Sequence, residues 1–448
     1  MHLEGTNDFM KTVTVNLTRV ADKGVAMGRS EEGKNIFLPF GAPGDIVRAR
    51  LTKEKKRFAE GFIEEILTPS PKRRAPRCRH FTRCGGCSWQ HLEYQTQLAG
   101  KAASFEGFTR SRLGIPPAEA EGIFLPPIPS PLEYGYRNRA TLQISGDRVG
   151  FALPSSHRIF SLEECPVLSP AVEKRAVTAA QNPHLLKGLE RLLLQVDSEG
   201  KCWAVATGRI DASKKVELLA ALDLEALYLG DGTNKPAIIA GDAGRMTFAG
   251  EDGVEVKVTP GGFVQANEGV NSALRELVKR LSAHYTGEEV LDLYSGAGNF
   301  TLPMAKAAKR VRAVEGYSPA VEDLILSAKE MKLDNIEALS SPVEVFLSKG
   351  ETSALPRPSF VLIDPPRAGA PGLAPKIASL GAEIILYISC SPPTLIRDIA
   401  AFREEGYHLS GVGAADMFPQ TAHLEAFALL TRTSVDSGEL LTFGSQSG

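Results

Sequence analysis

Glu289-Val290-Leu291-Asp292-Leu293-Tyr294-Ser295-Gly296-Ala297-Gly298-Asn299-Phe300 reads as a short apolar strand that runs into a glycine-bearing turn and the start of a helix. Working outward, strands and helices alternate from 262 to 432. Arg310-Val311-Arg312-Ala313-Val314-Glu315 follows, then Phe360-Val361-Leu362-Ile363-Asp364-Pro365-Pro366, then Ile384-Ile385-Leu386-Tyr387-Ile388-Ser389-Cys390. That alternation predicts a doubly wound, mainly parallel, Rossmann-like α/β sheet. In such a sheet the carboxyl ends of the strands face the ligand crevice, so Asp364 and Cys390 are expected to share one pocket. Glycines in the turn let the backbone approach a ligand closely. Glu315, twenty-three residues after Asp292, stands where a carboxylate can hold ribose hydroxyls. A nucleoside cofactor is implied. The third glycine of a dinucleotide fingerprint is missing, since Gly296-Ala297-Gly298 runs into Asn299-Phe300, which favours S-adenosylmethionine over NAD.

Cys390 is the expected nucleophile. A thiolate can add to the electron-poor C6 of a pyrimidine and turn an inert C5 into a carbanion-like centre. A lone strand-end cysteine is as readily a buried, inert one, and its companions in the chain decide between the two.

A chain of 448 residues, 43% hydrophobic and 23% charged, has room for several cores. No run approaches the ~18 apolar residues of a membrane span and the polar start has no signal-peptide core, so a cytoplasmic protein without membrane contact is expected. The net charge of -2 hides an asymmetry: residues 46–83 hold twelve Lys/Arg against four Glu, about +8, which leaves about -10 for the rest. A patch of that kind is the footprint of a phosphate-rich partner.

Residues 11–67 show short alternating strands with Gly and Pro turns, the pattern of a small OB-like barrel. Pro69-Ser70-Pro71 marks a linker into a central α+β region, 69–258, in which Arg139–Ile144 reads as a strand and Ala171–Leu194 as helical, and of which about 91–123 could pack on the catalytic unit. Residues 434–448 are rich in Ser and Gly and are expected to be disordered. Three of the six cysteines, Cys78, Cys84 and Cys87, fall within ten residues. With Cys165 they form a four-thiol set whose spacing permits zinc or an iron-sulfur cluster. Cys202, beside Trp203, reads as packing.

Several ordered blocks resemble the RNA uridine-C5 methyltransferases. They are Asp292 to Pro303 with Glu315, Ile363-Asp364-Pro365-Pro366-Arg367, Ser389-Cys390 with Thr394 and Arg397-Asp398, and Asp416-Met417-Phe418-Pro419-Gln420-Thr421-Ala422-His423-Leu424-Glu425. The front of the chain looks like the TRAM-bearing, iron-sulfur branch that acts on bacterial 23S ribosomal RNA. The resemblance implies a multidomain α/β enzyme, acting as a monomer on structured RNA, with 23S rRNA ahead of tRNA as the substrate. It implies Cys390 as nucleophile and Glu425 as the base that removes the C5 proton, with His423 in a positioning role. It also implies Gln265, Tyr294, Asn299, Glu315 and Asp364 around S-adenosylmethionine, and a 4Fe-4S cluster on Cys78, Cys84, Cys87 and Cys165. Two positions depart from the pattern: Ser391 stands where Asn is common and Ser295 where Cys is common. Reaching C5 requires the uridine out of its stack, so a loop or a flipped base is expected. The five-residue first cysteine gap and the fourth thiol speak against a radical methylthiotransferase.

Overall fold

The computed structural model describes residues 11–21, 24–30, 32–120, 122–154, 156–230, 235–284, 289–348 and 356–433; the segment 434–448 lies outside them. Thr12–Val20, Val25–Arg29, Asn35–Pro39, Ile46–Glu54 and Phe58–Thr68 close into a five-stranded barrel. Alternation turns Val15, Leu17, Val47, Ala49 and Leu51 inward, and closure leaves no open sheet edge.

A seven-stranded sheet follows, in the spatial order Ala237–Gly241, Ala226–Leu229, Cys202–Gly208, Leu189–Val196, Arg139–Ser145, Arg148–Ala152, Ile159–Ser161. Helices Pro170–Gln181 and Ala212–Ala221 pack Val172, Ala176 and Leu218 into its core, where Cys202 is fully buried. The helix expected over 171–194 ends at Gln181. Pro183 disfavours helical backbone at Asn182, Gly188 takes φ +92°, and Leu189–Val196 becomes a central strand.

The third unit is a seven-stranded sheet ordered Ile336–Ser340, Val311–Glu315, Val290–Leu293, Phe360–Ile363, Ile384–Ser389, Glu425–Thr431, His408–Ala415. The first five are parallel and the last two form an antiparallel hairpin. Central strands buried on both faces read as unbroken apolar runs, as Phe360–Ile363 and Ile384–Ile388 do. Strand order reverses about Val290–Leu293, which opens the ligand crevice there.

Two earlier segments belong physically to this unit. Helix Tyr94–Leu113 contributes Phe105 and Leu113 to the same core as Ile385 and Leu395. The hairpin Met246–Ala249/Glu255–Val258 buries Met246, Val256 and Val258 between Trp203 of the middle sheet and Leu302 and Leu324 of the third unit. Burying a side chain of that size stabilises by about 1.5–3 kcal/mol, so the units meet through a shared core. No helix among the described residues is long and apolar enough to cross a membrane.

Candidate active site

A cavity of about 590 Å³ opens at the carboxyl ends of the parallel strands, and Gln265, Tyr294, Asn299, Glu315, Asp364, Cys390 and Glu425 all line it. The backbone explains the convergence. Tyr294 takes φ +65° directly after its strand, and Gly298, at φ +94°, sits where a Cβ would lie 2.4 Å from Leu324. A side chain at 298 would push the turn off its neighbouring helix, whereas Gly296 faces open space.

At the cofactor end Glu315 accepts the backbone N–H groups of Gly296 (3.0 Å) and Tyr317 (2.7 Å). Both carboxylate oxygens are thereby aimed before any ligand arrives. Asn299 is fixed by a reciprocal amide pair with Asn271 (2.8 and 2.9 Å) and by Arg275 (3.2 Å), and Tyr294 donates to Glu344 (2.9 Å). Gln265 is buried, and its carbonyl accepts Asn138 Nδ2. Among the described residues the buried Ser295 hydroxyl has no partner. Asp292 lies beneath the turn, accepts Thr301 Oγ1 at 2.5 Å, and is pushed up to about 8 by burial.

At the other end, burial pushes Asp364 up to about 7 and raises Glu425 well above the usual carboxylate range, with the Asp364 charge adding to the effect on Glu425. Cys390 is half-buried. Desolvation and the nearby Glu425 raise its thiol, while Arg367 opposes them by charge and hydrogen bond. Sequence reading quoted Arg367 in a motif without giving it a role, and the structure brings it to Cys390. Arg367 immediately follows the strand-end Asp364-Pro365-Pro366 and lines the cavity. Its carbonyl accepts Thr394 Oγ1, and the Pro366–Ala370 turn is anchored where Asp398 accepts Ala370 N (2.8 Å) and Tyr387 Oη (2.6 Å). Ser391 closes the turn after Cys390: its N–H donates to Ser389 Oγ and its carbonyl accepts Thr394 Oγ1.

Cys390 also lines a second cavity of about 520 Å³, with Trp89, Phe105, Phe108, Lys101 and His423. The residue therefore borders two cavities. Lys101 is buried beneath this space, paired with Asp416 at 2.5 Å and also donating to the Phe418 carbonyl.

Cys78, Cys84, Cys87 and Cys165 line a separate cavity of about 800 Å³. Burial raises every one of these thiols, Cys87 to about 11, and neighbouring cysteine charges add to the rise at Cys78, Cys87 and Cys165. Among the described residues no three Cys, His, Asp or Glu side chains converge closely enough to hold a single metal ion.

The basic stretch is less free than its count implied. Arg48 pairs with Glu65, Arg50 with Glu64, Lys53 with Glu60, Arg73 with Asp45 and Arg79 with Glu163 and Glu164. Cross-strand register sets the hairpin pairs, and Lys55, Lys56 and Arg57 at the hairpin tip are exposed, as are Lys72, Arg77 and Arg83 further along.

The tRNA (uracil-5-)-methyltransferase family model matches residues 249–433, and the TRAM domain model matches residues 10–63. The 23S rRNA (uracil(1939)-C(5))-methyltransferase RlmD of Vibrio parahaemolyticus is 33% identical over 420 residues, 89% of this chain and 92% of that protein. Its namesake from Yersinia enterocolitica is 33% identical over 433 residues, 93% and 94% of the two chains. The crystal structure of Pyrococcus abyssi tRNA (uracil-54, C5)-methyltransferase with S-adenosyl-L-homocysteine superposes with a TM-score of 0.69 at 24% identity, covering 93% of this chain and 99% of that one. The last likeness speaks to the fold.

Proposed function

The chain belongs to the RNA (uracil-5-)-methyltransferases, and from that premise we propose that it methylates C5 of a uridine in 23S ribosomal RNA through a covalent Cys390 adduct. One observation carries the reading: a thiol, two carboxylates of raised proton affinity and a preset ribose-binding carboxylate line a single cavity. The cavity fits the cofactor, because Glu315 and the open face at Gly296 suit an adenosine ribose. S-Adenosylmethionine, when bound there, supplies an electrophilic methyl group.

The residues perform the remaining chemistry. Cys390 Sγ, as the thiolate, forms a bond to C6 of the uracil, the electron pair of the C5=C6 bond moves to C5, and C5 takes the methyl group as its bond to the sulfonium sulfur breaks and leaves a neutral thioether. Glu425 then accepts the C5 proton, the double bond re-forms, and Sγ leaves as the thiolate. High proton affinity is what burial gives Glu425 and what removing a carbon-bound proton demands. Arg367 favours the thiolate against the surrounding carboxylates.

We further propose that Cys78, Cys84, Cys87 and Cys165 hold a 4Fe-4S cluster. Support comes from the four thiols that line one cavity, which match the four-cysteine ligand set of such a cluster. Its role in this reading is to fold the RNA-facing segment, since the methyl transfer moves no net electrons. With the hairpin-tip cations on phosphates, the two cavities beside Cys390 fit a cofactor on one side and an extruded nucleotide on the other.

Incubation with S-adenosylmethionine and RNA bearing 5-fluorouridine tests the mechanism. Fluorine replaces the proton that Glu425 must remove, so a denaturation-resistant protein–RNA conjugate is expected. Absence of any conjugate under conditions where ordinary RNA is methylated would defeat the mechanism. Mapping 5-methyluridine in 23S rRNA and tRNA from a deletion strain tests the substrate.

A further inference from the structure

Five residues before Glu425, Gln420 is fully buried at φ +70°, a backbone region that a non-glycine residue occupies only when its surroundings hold it there. Every polar atom of Gln420 is used. Its N–H donates to Gln97 Oε1 (2.9 Å), and its Oε1 accepts Gln97 Nε2 (3.0 Å) and Arg74 Nη2 (3.1 Å). Its Nε2 donates to the Glu133 carbonyl (3.2 Å), and its own carbonyl accepts the N–H groups of Ser88 and Trp89, both at 3.0 Å. Ser88 and Trp89 directly follow Cys87, and Arg74 precedes Cys78 by four residues. The next residue, Thr421, lines the four-cysteine cavity. The 416–424 connection ends where Glu425 pairs with Ala415 to open the last hairpin.

Resting on the catalytic reading above, we propose that Gln420 is a positioning residue that couples the cysteine-bearing segment to Glu425. A rearrangement around Cys78–Cys87 changes the hydrogen bonds at Gln420, and the displacement reaches the base through a short connection clamped at both ends. The nucleophile, on a neighbouring strand, is not held by these contacts. The step that suffers is therefore proton removal, after the methyl group has been delivered.

Gln420→Gly provides the test, because glycine takes φ +70° without strain while the three side-chain bonds vanish. With ordinary uridine RNA and S-adenosylmethionine, Q420G should turn over on the order of 10- to 100-fold more slowly and accumulate a methylated, denaturation-resistant conjugate, with unchanged S-adenosylmethionine affinity. E425Q is the control. If E425Q accumulates the conjugate and Q420G does not, whether Q420G is fast or slow, the coupling is wrong and the catalytic reading stands. If E425Q itself accumulates none, the catalytic reading fails and takes the coupling with it. Should Q420G not fold, Q420E keeps acceptors for Gln97 and Arg74 but loses the donor to Glu133. A smaller conjugate fraction is then expected, and a parental level overturns the proposal.

Discussion

The cavity at the strand ends and the cysteine cavity are built on opposite principles. In the first, the groups that would hold a cofactor already have their hydrogen bonds: Glu315 is gripped by two backbone amides and Asn299 by a side-chain pair and an arginine. In the second, four thiols line a shared space in which burial, and at Cys78, Cys87 and Cys165 the neighbouring cysteines too, disfavours ionisation. The first site has its polar groups aimed in advance. The second, on the proposed reading, takes a cationic group that would stabilise its thiolates.

The contrast yields predictions in order of size. Cys390→Ala should abolish both methylation and the fluorouridine conjugate, while S-adenosylmethionine binding, measured by calorimetry, stays at the parental value. Cys87→Ser should reduce iron content, RNA affinity and resistance to heat together; chemistry lost with RNA affinity intact would show that the cysteine cavity is not a folding device. Glu315→Ala should weaken S-adenosylmethionine about 10- to 100-fold, or about 1.4–2.8 kcal/mol, because its two backbone partners cannot be re-aimed, and should leave iron untouched.

The smallest effect is on stability. Asp292 has a folded carboxyl at about 8 against an ordinary 3.8, so the folded chain holds a proton that the unfolded chain has lost across that window. Its favourable share is complete below about pH 4 and fades as pH climbs toward 8. Asp292→Asn should therefore melt higher than the parent by roughly a few degrees at pH 8, with a smaller margin at pH 5. A constant margin would mean that Asp292 does not titrate as described.

Much of this was legible in the sequence because strand-end chemistry is local. Apolar runs that end in Asp364 and Cys390, and a glycine turn followed by Glu315, announce a crevice without any knowledge of the rest. The barrel was legible for the same reason, through period-two alternation. What escaped depends on distance along the chain. Leu189–Val196 is as apolar as a helix face, and only its neighbours Arg139–Ser145 and Cys202–Gly208 make it a strand. The basic stretch looked free because cross-strand register, which pairs Arg48 with Glu65, cannot be counted from composition. The approach of Arg367 to Cys390 and the contacts of Gln420 with Gln97 and Arg74 depend on tertiary geometry that no spacing rule supplies.

The two cavities at Cys390 bear on inhibition. On the proposed reading the cofactor takes one of the cavities that Cys390 lines and the RNA the other, so a small alkylating reagent in the second is expected to meet the sulfur with the cofactor bound. Cofactor analogues should then protect the enzyme from such reagents poorly and RNA should protect it well, so a selective covalent blocker is better shaped to the RNA-facing mouth than to the cofactor.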